Sequence, residues 1–150
     1  MANQTDFRFG PWYDVYTGWP ILTLEAEGAI TKGNLLQLGT AGRQVIAYDG
    51  DSAVTAPAIG VALSDAANGE QVPVVGLGPV MLMKVGTSLA TRGQWAVPST
   101  TAAESGRIQG DDGQTGTTEN ACIGIVLETA DVLGELVPIM VCGRGAFGAN

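Results

Sequence analysis

Residues Ile59–Gly78 read "IGVALSDAANGEQVPVVGLG", and residues Ile123–Gly143 read "IGIVLETADVLGELVPIMVCG". The likeness extends upstream, where "AITKGNLLQL" (Ala29–Leu38) precedes the first stretch and "LATRGQWAV" (Leu89–Val97) precedes the second. Each unit therefore runs Thr-basic-Gly, strand, variable polar loop, Ile-Gly with a strand, Gly-Glu turn, and Val-Pro with a strand. The period is about 60 residues, long enough for a whole supersecondary unit rather than a single hairpin.

Within a unit, "NLLQL" and "QVIAY" are short runs rich in aliphatic, β-branched or aromatic residues. "IGVAL" and "VPVVGL" are almost continuously apolar, the pattern of strands covered on both faces. Strands are expected to begin near Leu35, Ile59, Val72, Ile123 and Val137. Gly69 and Gly134 fall where a tight turn needs positive φ. Pro73 and Pro138 have no amide to donate, so each is expected to start its strand or lie on a sheet edge. Two units are too few for a solenoid, whereas closure into a small barrel removes sheet edges. The reading is an all-β fold: a closed or partly closed barrel or sandwich of two similar β-units (about 29–78 and 89–143). These form one domain over 21–143, between an extended arm, 1–20, and a tail, 144–150.

Composition agrees. Gly is 22 of 150 residues and charged residues are only 15 %, which suits short strands and tight turns better than long helices. A net charge of −8 with only seven scattered basic residues argues against nucleic acid, whose binding rests on Lys and Arg displacing phosphate counterions. No cationic segment leads into an apolar run at "MANQTDFRFG", and "VPVVGLGPVMLM" is far short of the ~20 apolar residues that span a bilayer. Neither secretion nor membrane insertion is expected.

Reactive chemistry is sparse. Histidine is absent, which removes the commonest general base and zinc ligand. The acidic loops "YDGDS" (Tyr48–Ser52) and "GDDGQTG" (Gly110–Gly116) lack the spacing of a calcium loop closed by a bidentate Glu and read as turns. "GLGPV" (Gly76–Val80) lacks the third glycine of a dinucleotide fingerprint and reads as strand punctuation. Glu70 and Glu135 occupy matching turns, and that symmetry points to a turn role rather than an acid/base pair. Cys122 and Cys142 read as small buried hydrophobes that face each other only if their strands pair. No catalytic residue, metal or cofactor is expected.

The first twenty residues hold two-thirds of the aromatic side chains: Phe7, Phe9, Trp12, Tyr13, Tyr16 and Trp19. Pro11, Gly18 and Pro20 break any helix there, and Trp and Tyr are enriched at the centres of protein interfaces. These six residues are the candidate partner-binding set, docking on a neighbouring protein; the competing reading folds the arm back over its own barrel.

The stretches "GAITKGNLLQL", "PAIGVALSDAANGEQVPVVGLG" and "ACIGIVLETADVLGELVPIMVCG" resemble the tailed-phage capsid cement or decoration proteins over about Glu25–Gly143. The arm and the tail "RGAFGAN" depart from the shared pattern. The resemblance implies a non-enzymatic protein made in the host cytoplasm. It would bind the outer surface of an icosahedral head, commonly as a homotrimer, and clamp neighbouring major capsid proteins. A carbohydrate- or ligand-binding β-module with Trp12, Trp19 and Trp95 as a stacking platform is the alternative. An enzyme using Glu70, Glu135 or the Asp49/Asp51 loop is a distant third.

Overall fold

A computed structural model describes residues 21–49, 57–78, 80–111 and 122–141. The first unit contributes β1 (Ile21–Ala26), β2 (Leu35–Leu38), β3 (Gln44–Ala47), β4 (Ala58–Ala62) and β5 (Gln71–Gly76). The second contributes β6 (Val80–Lys84), β7 (Trp95–Pro98), β8 (Ile108–Asp111), β9 (Gly124–Val126) and β10 (Leu136–Val141), with one 3-10 turn at Ala102–Glu104. The five expected strand starts fall within one residue of those observed. β1–β5 close into a barrel of order β1-β3-β2-β4-β5, and the second sheet runs β6-β10-β9-β7-β8. Around the ring this is the same order, with β6 standing for β1 and β8 for β3.

The two sheets differ at one seam. In the first, β1 and β3 pair in parallel through Glu25 with Gln44 and Ala26 with Val45. In the second, the matching seam is reduced to a single parallel bridge between Val85 and Ile108. The bond that locks the seam is kept in both: Glu27 N donates to Val45 O at 2.7 Å, and Gly86 N to Ile108 O at 2.8 Å. The expected all-β fold of two similar β-units is found, with the first unit closed into a barrel by itself and the second an open five-stranded sheet.

Alternation along the strands separates the two faces. Ala26, Ile30, Leu36, Val45, Ala62, Ala66, Val72 and Val74 form the interior of the first barrel. Their counterparts Val85, Ala90, Ala96, Ile108, Val126, Ala130, Val137 and Ile139 all lie in the second core. Each set holds three Ala, three Val and two Leu or Ile, but the large and small residues have traded places: Ile30 answers Ala90, Leu36 answers Ala96, and Ala62 answers Val126. Each interior is thus filled to a similar volume by a different jigsaw, as close packing demands. On the outer face of the first barrel, Leu35, Val61 and Val75 join the second unit's core, so the two units share apolar surface.

Two details of the repeat have a physical cause. A Cβ on Gly60 would meet the Val75 carbonyl oxygen, and one on Gly124 the Met140 carbonyl oxygen, so the Ile-Gly written in both copies lets neighbouring backbones approach. Pro73 and Pro138 are each the third residue of a strand with a neighbour on both sides, contrary to the expectation of a strand start or an edge. Each one's carbonyl accepts a bond at 3.0 Å from the residue just past the end of the adjacent strand, Leu63 or Leu127. A residue's N and O point the same way in a strand, so the missing amide falls where the ladder has already ended.

Candidate partner-binding surface

The loops are fixed mainly by side chains that accept from backbone amides. Gly69 and Gly134 adopt φ of 82° and 81°, as their turns require. Beside them the Glu70 carboxylate accepts from Ala67 N at 2.8 Å, and the Glu135 carboxylate from Asp131 N at 2.7 Å. Both glutamates therefore serve the turns. In the Thr-basic-Gly loops, Asn34 Oδ1 accepts from Thr31 N and Gln94 Oε1 from Thr91 N, each at 2.8 Å. The amide of the basic residue, rather than its charge, is what the fold uses: Lys32 N donates to Asp65 at 2.7 Å and Arg92 N to Thr129 at 3.1 Å.

The second unit adds a buried carboxylate. Glu104 accepts from Thr87 N at 2.7 Å and from the Ser99 hydroxyl at 2.7 Å. Burial would raise its pKa, but the hydrogen bonds from Thr87 and Ser99 and the charge of Arg107 outweigh that, holding the carboxyl below its ordinary value. Sequence reading missed Glu104 because the β7–β8 loop that carries it is longer than its counterpart between β2 and β3 and has no acid to match. Asp49 and Asp111 flank loops whose remaining carboxylates lie outside the described residues. Cys122 is half-buried rather than buried, its Sγ 3.6 Å from Gly124 O; Cys142 lies outside the described residues. Trp95 is half-buried in β7.

The units are tied directly to one another: Lys84 N donates to Gly33 O at 3.0 Å and Lys84 Nζ to Thr31 Oγ1 at 2.9 Å. The six candidate residues Phe7, Phe9, Trp12, Tyr13, Tyr16 and Trp19 lie outside the described residues. The chain carrying them reaches the fold at Ile21, the first residue of β1. Leu22 is 58 % exposed and Leu38 is 61 % exposed, whereas their counterparts Met81 and Pro98 are buried. In the second unit Leu89, Val132, Leu133 and Met140 are exposed.

Paired β-units whose carboxylates accept from turn amides, with exposed apolar side chains on both units, form a β-scaffold in which the charged groups serve the turns. The profile of the phage cement protein family matches residues 17–141. The chain belongs to that family and is a structural protein of the phage virion; Trp19 falls inside the match and the other five candidate aromatics precede it. A solved structure, the head fiber gp8.5 N base of bacteriophage phi29, shares the fold with a TM-score of 0.61 and 16 % identity, over 83 % of this chain and 94 % of that one. No curated protein matches the chain.

Proposed function

We propose that the protein binds the outer surface of an assembled icosahedral head as a homotrimer and cements neighbouring major capsid proteins, without enzymatic activity. Membership of the phage cement family carries this reading, and the exposed apolar Ile21 and Leu22, where residues 1–20 join the fold, support it. On this reading the fold supplies a rigid body, and Phe7, Phe9, Trp12, Tyr13, Tyr16 and Trp19 supply the anchor. Each such ring buries roughly 150–250 Å² with few torsions to immobilise. Fully extended, residues 1–20 would span up to about 70 Å. A trimer engaging several subunits converts later contacts into intramolecular ones. The net charge of −8 suits a surface facing solvent rather than packaged nucleic acid.

The test is sedimentation of purified protein with empty heads assembled without it. Saturable co-sedimentation is the expected result, with a solution mass of three chains by light scattering. Heads that pellet bare at micromolar protein would refute the cement role.

A further inference from the structure

The duplication supplies its own control for one surface. The turn between β9 and β10 matches the turn between β4 and β5, with the same positive-φ glycine and the same carboxylate accepting from the turn amides. Their outward side chains differ. The first unit shows Ala29, Ala67 and Asn68, whereas the second shows Leu89, Val132 and Leu133, all three exposed. A bond of 2.9 Å from Ala130 N to Ala90 O holds Leu89 beside that turn.

The first unit folds with small or polar residues here, so the large apolar ones are no requirement of the turn. At one position the structural duty has even been moved elsewhere. Asn68 Oδ1 accepts from Gly28 N at 2.9 Å; at the matching place in the second unit, Thr87 N donates to Glu104 instead. Glu104 thereby releases position 133 to carry a leucine that points to solvent. A cluster of exposed large apolar residues with no folding role marks a contact surface.

We infer that Leu89, Val132 and Leu133 form a second foothold on the capsid shell protein, seated in an apolar pocket with a neutral or basic rim; this rests on the cement reading above. Charge selects that occupant over a second copy of the chain. Loops 86–94 and 127–135 carry Glu128, Asp131 and Glu135 against Arg92 and the Lys84 side chain that lies beside Gly134, so the tip keeps an excess of negative charge and a self-complementary contact would set like charges face to face. Area agrees, because three side chains fall far below the ~800 Å² per partner that a stable dimer buries, whereas they suffice for one foothold among several. Residues 1–20 join the first unit at Ile21 and this tip belongs to the second, so the tip is a foothold additional to the aromatic one.

The experiment compares the full-length protein with the triple variant Leu89→Ala, Val132→Ala, Leu133→Asn, which installs the residues that the first unit uses in the same turn, and with Leu133→Asn alone as the milder change. Melting temperature, solution mass and binding to empty heads lacking the protein are measured. The expected result is binding weakened at least about tenfold for the triple variant, by a smaller factor for the single one, with melting and mass unchanged. Head binding equal to the unaltered protein overturns the foothold and leaves the cement role standing. So does a drop in mass with head binding intact, which would make a second copy the occupant. Failure of the unaltered protein itself to bind heads overturns the cement reading and the foothold with it.

Discussion

Ser99 donates its hydroxyl proton to the Glu104 carboxylate at 2.7 Å inside the second unit, both residues almost wholly buried. The same end of the first unit is tied from the opposite direction: Glu27, at the end of β1, accepts from Thr40 N at 2.6 Å and Thr40 Oγ1 at 2.8 Å. Glu27's counterpart is Gly86, and a Cβ there would run into the Glu104 carboxylate. One unit sends its acid out from the strand; the other brings it in from the loop and keeps a glycine to receive it.

Glu104→Gln is therefore expected to destabilise the protein by about 1.5–3 kcal/mol, the range for hydrogen bonds to a charged group, read as a lower denaturation midpoint at pH 7. The folded carboxyl titrates below its ordinary value of 4.5. Its contribution is thus present above that value and is lost as pH falls through the lower, folded value. The gap between Glu104→Gln and the unaltered protein should close in that acid range; a constant gap down to pH 2 would contradict it.

Gly33 and Gly93 share positive φ, 83° and 89°, so replacing either with Ala strains the backbone by a similar amount. Only Gly33 lies between the units: a Cβ there would strike the Leu136 side chain, whereas one on Gly93 meets nothing within 4 Å. Gly33→Ala is expected to cost about 0.5–1.5 kcal/mol more than Gly93→Ala, the range for pushing a side chain such as Leu136 off its rotamer. Equal losses by chemical denaturation would show that the units do not press on one another there.

The exchanged interiors give a second paired test. Leu36→Ala should cost about 2–5 kcal/mol through a cavity, and Ala96→Leu about 1–3 kcal/mol through overpacking, although the two substitutions only copy each unit's residue into the other. A neutral Ala96→Leu would mean that the core of the second unit has unfilled space.

Much of the fold was legible because the duplication repeats its apolar periods. "IGVAL" and "IGIVL" mark β4 and β9, and Gly69 and Gly134 mark their turns. The reduced seam at Val85 and Ile108 was not, since closure depends on one bridge and the strands beside it look alike in both copies. The prolines were misplaced because where a neighbouring strand stops is a tertiary fact. Of the candidate surface, the aromatic cluster before Ile21 was plain in composition. The tip at Val132 and Leu133 was visible in "ADVLGE" against the one-residue-shorter "AANGE", but large residues in a turn register as a functional signal only once the turns 67–70 and 132–135 are seen to share a backbone.

Removal of residues 1–20 is expected to leave the melting temperature nearly unchanged while weakening binding to empty heads at least tenfold, a loss of about 1.4 kcal/mol or more. A truncated chain that melts early yet still saturates heads while folded would place the aromatic rings over their own barrel instead.

Reconstruction of heads assembled with and without the protein tests the cement role most directly. The expected result is added density on the outer surface, fitted by the paired β-units in three-fold groups, with each chain reaching two neighbouring shell subunits. Outer surfaces identical in the two reconstructions, or paired-unit density found only inside the shell or on the tail, would contradict it.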